Sequence, residues 1–92
     1  MNEILNELYK VVYDRKNNPK EGSYTCYLFD KGLDKILKKI GEEASETIIA
    51  AKNDSKDQII YEVSDLLYHL VVLLVEKEIT LEQIEEELKN RR

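Results

Sequence analysis

The chain has 92 residues, 42% of them hydrophobic and 36% charged, with a formal net charge of -5 at pH 7. This is one small domain, and its acidic balance excludes a general nucleic-acid binder, which needs a basic footprint to attract phosphate backbones. Cys26 is the single cysteine, which excludes an internal disulfide and a cysteine-based metal cluster within one chain.

In chain order, the first periodic segment runs from about Asn2 to Arg15, with Ile4, Leu5, Leu8, Val11 and Val12 at helical spacing. Its start, Met1-Asn2-Glu3-Ile4-Leu5, has no basic stretch ahead of an apolar one, so no secretory leader is expected. Asn17-Asn18-Pro19 ends the helix, because proline disfavours helical geometry in the residue before it. Residues 19–31 interleave aromatic, hydroxyl and glycine residues and predict a loop holding at most a short helical turn. A long helix is predicted from about Gly32 to Asn53, with Leu33, Ile36, Leu37, Ile40, Ala44, Ile48 and Ala51 on one side. Asn53-Asp54-Ser55 reads as a turn. The next helix, about Lys56 to Glu78, carries Ile59, Ile60, Val63, Leu66, Leu67, Leu70, Val71 and Leu74. Its apolar run from Leu66 to Val75 contains His69 and is too short to span a bilayer, so a cytoplasmic protein without a membrane partner is expected. Thr80-Leu81-Glu82-Gln83 resembles a capping box that opens a last helix reaching Leu88.

A single all-α domain over residues 1–92 follows, with four main helices and the second and third at its centre. Some of these helices are apolar around much of their circumference. That is more surface than one short hairpin covers, and it predicts a homodimer.

Two acidic patterns stand out within this frame: Glu42-Glu43-x-x-Glu46 and Glu62-x-x-Asp65. Carboxylates three or four residues apart share a helix face, so two adjacent helices would converge four or five of them. With Glu42 at zero on the helical wheel, Glu46 falls near 40° and Glu43 near 100°, while the apolar stripe centres near 180°. Glu43 and Glu46 thus border the core side and Glu42 points outward. Glu62, Asp65 and His69 fall within about 60° of one another and cut through an otherwise apolar helix. A solvated face would account for Glu42, Glu43 and Glu46 alone, but not for acids that interrupt an apolar run. Glu85-Glu86-Glu87, with no partner cluster, reads as such a solvated face.

Like charges gathered closely repel unless a cation joins them. Oxygen-only ligands select a hard ion, Mg2+ with Mn2+ as a substitute, and such ions serve phosphate chemistry. No nucleophile stands at readable spacing from the single histidine, and the glycines fit neither a Walker loop nor a dinucleotide fingerprint. Any nucleotide is therefore gripped by metal and side chains. Lys31, Lys35, Lys38, Lys39 and Lys52 flank the acidic motif and supply either surface pairing or phosphate contacts. Ser23-Tyr24-Thr25 offers hydroxyl or backbone donors to a phosphate or ribose. His69 reads as a hydrogen-bonded core residue or a substrate contact.

The paired motifs resemble the MazG-type all-α nucleotide pyrophosphohydrolases. Further strings narrow the likeness: Ser23-Tyr24-Thr25, Leu28-Phe29, Gly32-Leu33-Asp34-Lys35-Ile36, Lys38-Lys39-Ile40-Gly41-Glu42-Glu43-Ala44 with Glu46, and Ile60-Tyr61-Glu62 with Asp65-Leu66-Leu67-Tyr68-His69-Leu70. Together they resemble the phosphoribosyl-ATP pyrophosphohydrolase family of histidine biosynthesis over nearly the whole chain after about residue 20. The resemblance implies a MazG-like bundle completed by dimerisation, with both chains building each site. It implies hydrolysis of the α-β phosphoanhydride of phosphoribosyl-ATP to phosphoribosyl-AMP and pyrophosphate. It also implies Glu43, Glu46, Glu62 and Asp65 as Mg2+ ligands, with Glu42 as an outer or water-orienting carboxylate. Lys31, Lys35, Lys39, Lys52 and Asn53, with Ser23, Thr25 and His69, are the implied substrate contacts. Cys26 and Ser45 depart from the small residues expected there without touching the acidic pattern. The cyclohydrolase to which many relatives are fused has no counterpart in this length, so a separate protein is expected to perform the next step.

Two other readings share parts of this pattern. A MazG-type (deoxy)nucleoside triphosphate pyrophosphohydrolase would use the same carboxylates with different contacts at the base. A helical dimerisation module would leave the acids as solvated charge.

Overall fold

The computed structural model describes residues 2–92. Five helices follow in order: α1 (Glu3–Asn17), α2 (Tyr24–Lys31), α3 (Leu33–Lys52), α4 (Lys56–Glu76) and α5 (Leu81–Lys89), with no strand among the described residues. Each start but one is capped by a side chain at the position the sequence offers. Asn2, Ser23, Ser55 and Thr80 accept the orphan N–H groups of Leu5, Cys26, Gln58 and Gln83. The expected Thr80–Gln83 capping box is formed in both directions.

The main difference from the sequence reading is α2. The stretch read as loop contains an eight-residue helix, so the all-α fold has five helices rather than four main ones. Its start is fixed by the Ser23 cap, and its Thr25 and Leu28 are buried one turn apart. Short helices draw most of their stability from such packing rather than from propensity, and so they leave a weak periodic signal. Gly32, with φ 95°, joins α2 to α3 in a conformation that a side chain would strain.

The turn at Asn53-Asp54-Ser55 folds α3 and α4 into a hairpin, with Asp54 at φ 54°. Asparagine and aspartate tolerate this left-handed geometry better than other residues with side chains. Val12, Leu28, Ile36, Val71, Val72 and Val75 form the buried core, with Leu5, Leu8, Tyr9, Phe29, Ile40 and Tyr68 packed against it. These residues come from α1, α2, the first half of α3 and the second half of α4. Tyr9 donates to the Ile79 carbonyl at 2.8 Å, tying α1 to the segment before α5.

The core therefore closes one half of the hairpin. On the other half, Ile48 and Ile60 are each 65% exposed, and Ile49, Tyr61, Val63 and Leu67 are open as well. The α4 helix as a whole is long and apolar enough to cross a membrane by length and composition, although its Leu66 to Val75 run alone is not. Core helices of soluble proteins pass the same test, and α4 carries Glu62, Asp65 and His69 toward its helical neighbours.

Candidate functional site

The acidic residues lie at the middle of the hairpin, where the closed half meets the open one. Glu43 sits on α3, and Glu62 and Asp65 on α4. One carboxylate oxygen from each lies within 4.8 Å of the other two. Glu43 is buried at 4% exposure. Glu46, one turn further along α3, is near enough to raise the carboxyls of both Glu43 and Glu62. Glu43, Glu62 and Asp65 thus converge, with the exposed Glu46 beside them. Glu42 points outward as its wheel position predicts, and its side chain keeps 46% exposure.

The electrostatics of this meeting are unfavourable by themselves. The Glu62 carboxyl is pushed up to about 7, first by its contact with Glu46, then by desolvation and by the charges of Glu46 and Glu43. Burial raises the Glu43 carboxyl, and Asp65 and Glu46 raise it further, while Lys39 opposes them. With the acids ionised, Glu43 Oε2 and Glu62 Oε2 are buried without any hydrogen-bond donor. Buried polar atoms left unpaired are rare and call for a specific partner. Two acceptor-only oxygens among further carboxylates suit a hard divalent cation. The donor set therefore fits Mg2+ or Mn2+.

Lys39 is the basic residue closest to this centre. Its Nζ lies 3.6 Å from Glu42 and 3.7 Å from Glu43. Burial works against its charge, but Tyr24, Glu42 and Glu43 together raise its pKa. Lys31 ends α2 and Lys35 lies in the first turn of α3, with their ammonium groups 5.7 and 5.8 Å from the Tyr27 ring centroid. Lys52 and Asn53 lie at the other end of α3, both exposed. From Lys35 to Lys52 the helix rises about 25 Å. One chain does not bring all five candidate contacts to one place.

Three further candidate substrate contacts have structural work within the protein. Ser23 caps α2. Thr25 is buried at 9% exposure and hydrogen-bonds the Tyr68 hydroxyl. His69 is 3% exposed, with Nδ1 at 2.8 Å from the Asp65 carbonyl oxygen and Nε2 at 3.0 Å from Tyr24 Oη. Thr25 and His69 are thus tied into a hydrogen-bonded network between α2 and α4, in keeping with the core reading of His69. Tyr24, the middle residue of the Ser23-Tyr24-Thr25 string, is the open member of that network at 46% exposure.

Comparison with known proteins bears on this geometry. Residues 5–92 match the family model described as phosphoribosyl-ATP pyrophosphohydrolase. The phosphoribosyl-ATP pyrophosphatase of Clostridium novyi is 61% identical over 98% of this chain and 82% of its own length. That of Listeria monocytogenes is 68% identical over 96% of this chain and 84% of its own. A histidine biosynthesis bifunctional protein from Caldanaerobacter subterraneus is 70% identical over 97% of this chain, which spans only 43% of that longer protein.

Proposed function

The chain belongs to the phosphoribosyl-ATP pyrophosphohydrolase family, and we propose that the acidic cluster between α3 and α4 is where it cleaves phosphoribosyl-ATP. The activity is hydrolysis in histidine biosynthesis, releasing pyrophosphate and leaving phosphoribosyl-AMP. The observation that carries the site is the pair of buried, donorless oxygens on Glu43 and Glu62.

Glu43, Glu62 and Asp65 would hold Mg2+, with Glu46 completing the ligand set. The ion, when bound, neutralises charge on the phosphate chain and lowers the pKa of a coordinated water. Glu42, on the open side, would orient the attacking water and accept its proton. Lys39 pairs with Glu42 and Glu43 in the free protein and can turn to phosphate once other charges satisfy those acids. The open face of Lys31 and Lys35 provides positive charge for the second phosphate of the substrate. The test is direct. Purified protein with Mg2+ should release pyrophosphate from phosphoribosyl-ATP at least tenfold faster than from any deoxynucleoside triphosphate, a margin of about 1.4 kcal/mol. Equal rates would point to the broader MazG-type activity instead.

The same reading includes a MazG-like bundle completed by a second copy. What supports it is the uncovered apolar face of Ile48, Ile49, Ile60, Tyr61, Val63 and Leu67, since contiguous patches of this kind mark association surfaces. A two-fold partner would also bring a second set of Lys52 and Asn53 toward each centre, answering the separation along α3. Ile60→Asp should convert the protein from dimer to monomer in light scattering at micromolar concentration, and lower its activity with it. A dimer that survives this charge at the centre of the face would refute the interface.

A further inference from the structure

Tyr24 is 46% exposed yet held by three neighbouring rings. Its ring stacks against Tyr27 at 6.0 Å and Tyr68 at 6.2 Å, with interplanar angles of 24° and 27°. The edge of His69 meets it at 5.9 Å and 88°. Its hydroxyl is fixed by the buried His69. An exposed side chain ordinarily keeps its rotamer freedom, so holding one this firmly is a form of preorganisation.

The direction of the hydrogen bonds follows from elementary valence. A backbone carbonyl can only accept, so the 2.8 Å contact from His69 Nδ1 to the Asp65 oxygen requires the proton on Nδ1. The Nε2 of the neutral ring is then an acceptor, and the Tyr24 hydroxyl must donate to it across 3.0 Å. Its one hydrogen is thereby used. What Tyr24 offers outward is oxygen lone pairs and ring surface, which suit a donor and a flat heterocycle rather than a phosphate oxygen.

Its position matches that chemistry. On one side the phenol lies in the fields of Lys39, Glu43 and Asp65, at the edge of the acidic centre. On the other it lines a 920 Å³ cavity together with Arg15, Lys20, Tyr27 and Phe29. A substrate whose triphosphate enters the acidic centre would lay its next portion across this ring.

We propose that Tyr24 contacts the base or ribose of the nucleotide through its hydroxyl oxygen and ring, and that His69 is a positioning residue acting through it. This rests on the phosphoribosyl-ATP reading above and deepens it. Tyr24→Phe, at an exposed position, leaves the fold intact and decides the contact. It should raise the KM for phosphoribosyl-ATP and the inhibition constant of phosphoribosyl-AMP by about three- to tenfold, the worth of one hydrogen bond. The inhibition constant of Mg2+-pyrophosphate, which lacks base and ribose, should not move. His69→Phe should give the same pattern, and the double variant should be no worse than Tyr24→Phe alone. His69→Gln, whose amide oxygen can accept from the phenol, should recover most of the loss. An unchanged KM and phosphoribosyl-AMP constant in Tyr24→Phe overturns the contact. An equal rise for pyrophosphate overturns the assignment to base and ribose. Additive effects in the double variant overturn the role of His69. Failure of the unmodified protein to cleave phosphoribosyl-ATP is a separate outcome that refutes the reaction and this contact with it.

Discussion

Glu43→Gln should lower kcat/KM by about a hundredfold or more, because even partners outside a metal's ligand shell typically contribute 10–100-fold. The same variant should melt higher than the unmodified protein in metal-free buffer. The two expectations come from one cause. Glu43 is almost fully buried, and burial, Asp65 and Glu46 all raise the energy of its charged form. Glutamine keeps the volume and removes the charge, so the repulsion disappears with the ligand. Lys39 loses its 3.7 Å partner but retains Glu42 at 3.6 Å, so the substitution leaves no isolated cation. Pyrophosphate release and a thermal melt with and without EDTA check both halves. Full activity would remove Glu43 from the metal site, and a lower melting temperature would mean that its charge is satisfied in some other way.

The hairpin was legible because its signals are long and mutually consistent: period-3.6 apolar positions over some twenty residues in each helix and a three-residue turn between them. The inward acids were legible for a related reason. A carboxylate that breaks an apolar run, as Glu62 and Asp65 do, cannot be a solvated face. The wheel also separated Glu42 from Glu43, since it needs only helical geometry, whereas Glu46, read as bordering the core, is exposed. What it did not convey was tertiary. The α2 helix depends on packing of Thr25 and Leu28, which no local period announces. The enclosure of His69 and the exposure of Tyr24 depend on how α2 lies against α4, and that is settled forty-five residues apart in sequence.

Mg2+ should raise the melting temperature, and by more at pH 8 than at pH 5. The sign follows from Glu62. Its carboxyl has an ordinary value of 4.5 and stands at about 7 in the folded protein. Between these two values the native state holds a proton that the unfolded chain has released, so metal-free stability falls as pH rises through this window. Above pH 7 both states are ionised and the penalty stays constant. Glu43, raised in the same direction, adds to the trend. Ligation needs deprotonated carboxylates, so the ion competes with protons at pH 5 and binds freely at pH 8. At a concentration one hundred times its Kd, a ligand specific to the folded state adds about 2.7 kcal/mol. For a domain of this size that corresponds to a shift on the order of 10 °C. Melts at fixed protein concentration, across pH 5 to 8 with and without Mg2+, measure it. A metal-free melting temperature that climbs through this window, or a Mg2+ shift no larger at pH 8 than at pH 5, would show that the four acids do not share an ion. In that case the strain carried by Glu43 and Glu62 would need another source of relief.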